Sequence, residues 1–137
     1  MSRYKSYIFK HLIDAGIVFI LLISLKLFAD FIMIVWITGL PGSGKTTLAK
    51  RVKSILEKRT SKNIVLLDGD NIRSILPFET SYAKDDRIKL GLFYSELALL
   101  IEKSNCIVIC SFVALFHSVH KHTRLKAKDY YEIFLDP

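Results

Sequence analysis

One eight-residue stretch constrains this chain more than any other: Gly39-Leu40-Pro41-Gly42-Ser43-Gly44-Lys45-Thr46. It satisfies G-x-x-x-x-G-K-S/T, and it stands where that pattern has physical meaning. Before it, Met33–Thr38 is a short apolar, β-rich run that reads as a buried strand. After it, Lys45–Arg59 carries Leu48, Val52, Ile55 and Leu56 on one helical stripe. A glycine-rich loop between a strand and a helix can turn successive backbone N–H groups toward an anion, and the helix N-terminus adds partial positive charge. Lys45 can neutralise the β- and γ-phosphates of ATP, and the Thr46 hydroxyl can ligate Mg²⁺. Gly39 to Thr47 is therefore the expected ATP- and phosphate-binding segment. An ordinary glycine-rich turn would not require the lysine and threonine where they stand.

The rest of the chain from Met33 keeps an α/β rhythm. Asn63–Leu67, Cys106–Cys110 and Tyr131–Leu135 read as further strands, and Asp85–Lys103 and Ser118–Lys128 as helices. Strands alternating with helices predict a parallel sheet with helices on both faces, an α/β fold of the P-loop NTPase type. With 137 residues the chain is about one domain, and 51% apolar against 24% charged residues excludes wholesale disorder. The net charge of +7 favours anionic partners such as phosphates and nucleotides. It does not by itself indicate nucleic acid, and none is expected as a partner. Cys106 and Cys110 are four residues apart in one strand, ~13 Å, too far for a disulfide. They read as buried free thiols in a reduced compartment, hence a cytoplasmic location.

The second strand ends Leu66-Leu67-Asp68-Gly69-Asp70-Asn71-Ile72-Arg73. In an open α/β sheet, ligands sit beyond the carboxyl ends of the strands, so Asp68 and Asp70 are expected beside the P-loop. One carboxylate, Asp68, can hold Mg²⁺ together with Thr46, directly or through water. The other, Asp70, can accept the proton of an acceptor hydroxyl, with Lys45 as the third catalytic group. Arg73 can fork onto an acceptor phosphate. The plainer alternative is a turn whose acidic residues cap the next helix.

Taken together, Ile34–Thr47 and Leu67–Arg73 resemble the adenylyl-sulfate kinase (APS kinase) family, and the resemblance runs from about Met33 to Pro137. It includes Asp85-Asp86-Arg87, similar to the family's Glu-Asp-Arg, and Cys110-Ser111-Phe112. The resemblance implies transfer of phosphate from MgATP to the 3′-hydroxyl of adenosine 5′-phosphosulfate, in sulfate activation. It also implies Asp70, Asn71, Ile72, Arg73, Tyr82, Arg87, Phe112 and Val113 as acceptor-binding residues, with Tyr82 in place of a base-packing Phe. The family's Asn three residues after Arg87 is Leu90 here, its following Arg pair is Gly91-Leu92, and its Ile-Ser-Pro-Phe is Val113-Ala114-Leu115-Phe116. These departures bear on the acceptor. The alternatives are a kinase for another nucleotide-like acceptor, such as cytidine diphosphoramidate in capsule synthesis, and a non-catalytic ATP-binding fragment. The family continues with a lid and an adenine-binding segment, so residues 33–137 are expected to be a C-terminally incomplete kinase domain. A homodimer is left open.

Residues 1–32 differ in composition. Arg3, Lys5 and Lys10 precede Ala15–Leu25, eleven residues without a charge. An apolar N-terminal helix is expected here. It reads as a marginal membrane anchor, a packed helix, or an extension preceding a true start at Met33. Any membrane contact would run through this segment. Trp36 is expected in the core. His117, His120 and His122 match no zinc spacing and are expected on a basic surface with Lys121, Arg124, Lys126 and Lys128.

Overall fold

The computed structural model describes residues 32–136 and, as backbone, residues 3–9. Of residues 1–32, where an apolar N-terminal helix is expected, residues 3–9 form a strand and residues 1–2 and 10–31 lie outside the described residues. Five parallel strands form one sheet: β1 (Arg3–Phe9), β2 (Ile34–Gly39), β3 (Asn63–Asp68), β4 (Cys106–Phe112) and β5 (Asp129–Leu135), in the order β1-β5-β2-β4-β3. The four strands from β2 onward are those anticipated from the sequence. The fifth is an addition: Arg3–Phe9 pairs along β5 from Arg3 opposite Asp129 to Phe9 opposite Leu135. Among the described residues the helices are α1 (Lys45–Glu57), α2 (Gly69–Ile75), α3 (Lys84–Lys103) and α4 (His117–Lys126). Among the described residues no helix is long and apolar enough to cross a membrane.

Strand β2 explains the layering. It pairs with β4 on one side and β5 on the other, and every residue from Ile34 to Gly39 is buried. A strand covered on both faces should be apolar without alternation, as Ile34-Val35-Trp36-Ile37 is. Its side chains divide by parity. Met33, Val35 and Ile37 pack against Leu48, Val52 and Leu56 of α1. Ile34 and Trp36 pack on the opposite face among Tyr94, Ala98, Leu99 and Val119 of α3 and α4. The stripe expected on α1 is the face turned to the sheet, except that Ile55 is only half-buried.

Trp36 is fully buried, as expected of a core residue. Its ring meets Phe112 edge-on at 5.1 Å, and Phe112 in turn stacks on Tyr94 at 4.1 Å and 8°. Aromatic pairs of this kind add about 0.5–1.5 kcal/mol beyond their burial. This column runs from the centre of the sheet to the carboxyl end of β4, where the site begins.

His120 corrects one expectation. It is buried rather than on the surface, because the four-residue period of α4 places it under the sheet with Val119 and Thr123. Its Nε2 donates to the Ala114 carbonyl at 2.7 Å, and Tyr130 stands 3.3 Å from its Nδ1. Burial lowers its pKa, against the raising effect of Glu132. Thr38 Oγ1 donates to the same Ala114 carbonyl at 3.1 Å. The loop after β4 is thus tied to β2 and α4. The neighbouring basic residues are largely paired: Arg124 with Glu132, and His122 and Lys126 with Glu96. Both cysteines are free, with Cys110 buried and Cys106 half-buried.

Candidate active site

The carboxyl ends of β2, β3 and β4 open on one side of the sheet, and the loops they feed build two adjoining cavities. Strand β2 ends at Gly39, whose φ is +154°. A Cβ there would lie 2.5 Å from the Leu135 carbonyl oxygen and 2.8 Å from Ser43 Oγ, so only glycine lets the loop leave between β2 and β5. The loop closes with the Ser43 N–H on the Leu40 carbonyl at 3.2 Å. Gly44, at φ +91°, is the N-cap of α1 and has no side chain to occupy the helix end. The first N–H groups of α1 are therefore left for a ligand.

The first cavity, of about 420 Å³, is lined by Pro41, Gly42, Gly44, Lys45, Thr46, Thr47, Asp68, Gly69, Asp70, Arg73, Ser111 and Val113. Lys45 is buried, and its Nζ donates to the Leu40 carbonyl at 2.7 Å. Burial lowers its pKa, while Asp70 and Asp68 work in the opposite direction. Thr46 Oγ1 donates to Asp68 Oδ2 at 2.9 Å, and Asp68 Oδ1 accepts from the Asp70 N–H at 3.0 Å. Asp68 is thus the N-cap of α2, while its other oxygen faces the P-loop. Both readings of this carboxylate meet in one residue. A threonine hydroxyl and a carboxylate held 2.9 Å apart beside a phosphate cradle suit Mg²⁺, which takes one or two protein oxygens and fills its octahedron with phosphate and water. Among the described residues there is no cluster of three or more His, Cys, Asp or Glu side chains suited to a metal.

Asp70 begins the exposed side of α2 and pairs with Arg73 one turn on. The ion pair is exposed, so it contributes little stability and leaves both groups free to exchange partners. Arg73 lines both cavities.

The second cavity, of about 260 Å³, is lined by Pro41, Arg73, Thr80, Ser81, Tyr82, Arg87, Leu90, Gly91, Tyr94, Val113, Ala114 and Phe116. It contains two guanidinium groups and no carboxylate. Arg87 lies over the Phe116 ring, 5.8 Å from its centre. The two cavities share Pro41, Arg73 and Val113, so one begins where the other ends.

Most of the residues singled out in the sequence meet here. Pro41, Gly42, Gly44, Lys45, Thr46, Thr47, Asp68, Asp70, Arg73 and Val113 line the first cavity, and Tyr82, Arg87, Arg73 and Val113 the second. Tyr82 is 94% exposed, at the rim. Phe112 is a correction. It is 1% exposed and stands behind Tyr94, lining neither cavity, because the strand runs on to residue 112 and turns this side chain into the core. Asn71 and Ile72 also line neither cavity; Ile72 is buried against the sheet. Tyr94 is a site residue that the sequence reading missed. A signal was present, since Arg87, Leu90, Gly91 and Tyr94 repeat at helical spacing and form one stripe.

The chain resembles known proteins in sequence and in fold. The family model described as adenylylsulphate kinase matches residues 32–137. A cytidine diphosphoramidate kinase from Campylobacter jejuni is 35% identical over 103 residues, 75% of this chain and 59% of that protein. A probable adenylyl-sulfate kinase from Pseudomonas aeruginosa is 33% identical over 103 residues, 75% of this chain and 48% of its own length. Among solved structures, that of the Mycobacterium tuberculosis APS kinase in complex with AMPPNP and APS has a TM-score of 0.64 at 28% identity, covering 76% of this chain and 62% of that one. The chain thus spans 59% and 48% of the lengths of these two curated relatives.

Proposed function

Because the chain belongs to the adenylylsulphate kinase family, we propose that it is an ATP-dependent phosphotransferase acting on a hydroxyl of a nucleotide acceptor. The first acceptor proposed is adenosine 5′-phosphosulfate, phosphorylated at its 3′-hydroxyl. The observation that carries this reading is the pair of cavities meeting at Pro41, Arg73 and Val113. A phosphate cradle alone would suit any nucleotide-binding protein. A cradle continuous with a second, cationic cavity suits a protein that passes a phosphoryl group from one to the other.

In this mechanism the P-loop N–H groups and Lys45 hold the triphosphate. Thr46 and Asp68 are the residues that would hold Mg²⁺, which neutralises charge on the β- and γ-phosphates when bound. Arg73 and Arg87 hold the anionic part of the acceptor. The acceptor oxygen bonds to the γ-phosphorus as the bond to the β,γ-bridging oxygen breaks. Asp70 takes the hydroxyl proton, and ADP leaves with the bridging oxygen. Proton acceptance by a positioned group contributes typically ~10²–10⁴-fold.

A second acceptor is favoured by one feature of the cavity. Leu90 and Ala114 line it where the family resemblance leads one to expect Asn and Ser. An apolar wall gives up hydrogen bonds that would select one base or ribose, which suits a different nucleotide, such as cytidine diphosphoramidate. Incubation with MgATP and each acceptor, followed by chromatography of the products, tests the proposal. A phosphorylated nucleotide from either acceptor supports the kinase reading, and the more efficient acceptor identifies the substrate. ATP binding with transfer to neither would reduce the chain to a nucleotide-binding unit.

A further inference from the structure

Resting on the reading of the second cavity as the acceptor site, we propose that Tyr94 is an acceptor-binding residue: its hydroxyl donates to an oxyanion of a diphosphate-type linkage, alongside Arg73. The linkage meant is any pair of adjacent phosphoryl, sulfuryl or phosphoramidyl groups on the acceptor.

Three observations carry the inference. Tyr94 is 3% exposed; the Arg73 guanidinium acts as a donor toward its hydroxyl oxygen, yet the hydroxyl's own proton has no acceptor in the protein. A buried donor left unmade is costly, so native proteins rarely keep one without a use. Second, the side chain lines the cavity that holds Arg73, Arg87 and Ser81 and no carboxylate, so a ligand oxygen reaching the phenol there is expected to be anionic. Third, the ring cannot turn the hydroxyl elsewhere. It lies flat on Phe112 at 4.1 Å, with Phe93 at 6.1 Å. The donor is therefore preorganised, and little entropy is lost when it binds. Burial also raises the phenol's pKa, with Arg73 acting partly against this, so the group stays protonated and can donate.

The test is Tyr94→Phe, which removes one oxygen and leaves the stacked ring. Calorimetric titrations of the full chain, saturated with MgADP, would use adenosine 5′-phosphosulfate, cytidine 5′-diphosphate and inorganic pyrophosphate as probes. The expected result is a loss of roughly ten- to a hundredfold in affinity for whichever probe the unmodified chain binds, the range of one hydrogen bond to a charged group. MgADP affinity should be unchanged, and the melting temperature without ligand should fall little, because the hydroxyl donates to nothing in the protein and loses only the contact from the exposed Arg73. Unchanged probe affinity would overturn the inference, as would binding of none of the probes by the unmodified chain. A variant that melts much lower or fails to fold would also overturn it, since the hydroxyl would then have a structural role. The two readings fail separately. Phosphoryl transfer by the unmodified chain with unaltered affinity in the variant would sink Tyr94 alone. Tyr94-dependent pyrophosphate binding without transfer to any nucleotide would sink the kinase and leave the oxyanion site standing.

Discussion

Asp68 does two physically separable things, and two substitutions can pull them apart. One carboxylate oxygen caps α2 by accepting the Asp70 N–H at 3.0 Å; the other accepts from Thr46 at 2.9 Å and faces Lys45. Asp68→Ala removes both. Loss of an N-cap costs about 1 kcal/mol, and loss of an exposed hydroxyl bond about 0.5 kcal/mol. The sum of about 1.5 kcal/mol lowers the melting temperature by roughly 5 °C in a domain of this size. Asp68→Asn keeps its one amide oxygen for the cap and turns its NH2 group, a donor, toward Thr46 Oγ1, so without nucleotide it should melt within about 2 °C of the unmodified chain. It loses the charge, however. If Asp68 is a Mg²⁺ ligand, the stabilisation by MgATP should shrink in Asn as much as in Ala, while stabilisation by ATP with EDTA stays the same in all three. Thermal melts under those conditions measure every quantity needed. If Asp68→Asn without nucleotide melts as low as Asp68→Ala, the capping argument is wrong. If it keeps the full MgATP shift, Asp68 does not bind the metal.

Three further outcomes are expected. Lys45→Ala should weaken MgATP binding roughly ten- to a hundredfold in calorimetry, the range of a charge-assisted contact of about 1.5–3 kcal/mol, and unchanged affinity would contradict the P-loop assignment. Gly39→Ala should destabilise the chain by about 2–4 kcal/mol, since the new Cβ meets the Leu135 carbonyl at 2.5 Å in a backbone conformation that side chains rarely adopt; denaturant unfolding at near-native stability would refute the close approach. Because His120 is held neutral by burial, the unfolded chain binds the extra proton first. Its share of stability is fully present above about pH 6.5 and is lost as pH falls below that. His120→Gln should flatten the decline in unfolding free energy between pH 7.5 and 5.8, and an identical slope in both proteins would show that another group drives it.

Much of the architecture was legible because β2 and α1 obey local rules. An uninterrupted apolar run means a strand covered on both faces, and a four-residue apolar stripe means a helix on one of them. The glycine-rich loop between β2 and α1 was legible for the same reason, since it lies in eight consecutive residues. Residues that act through the third dimension were harder to read. His120 looked like one of several basic surface residues, and only the packing of α4 against β5 reveals that it bonds the Ala114 carbonyl. Phe112 and Tyr94 exchanged places: the aromatic expected in the site belongs to the core, and the one within a long helix lines the cavity. The pairing of Arg3–Phe9 with β5 had no signature, because an edge strand added by a distant segment needs no pattern of its own beyond free backbone.

In the proposed reaction a phosphoryl group crosses from the P-loop cavity to the cavity beyond Arg73, with Asp70 taking the proton. Single-turnover transfer from γ-labelled ATP to the better of the two acceptors, compared between the unmodified chain and Asp70→Asn, tests it most directly. The expected result is labelled nucleotide product from the unmodified chain, a rate lower by ~10²–10⁴-fold in the variant, and ATP affinities within a few fold of each other. Equal rates in the two proteins, or no labelled nucleotide from the unmodified chain with either acceptor, would contradict it.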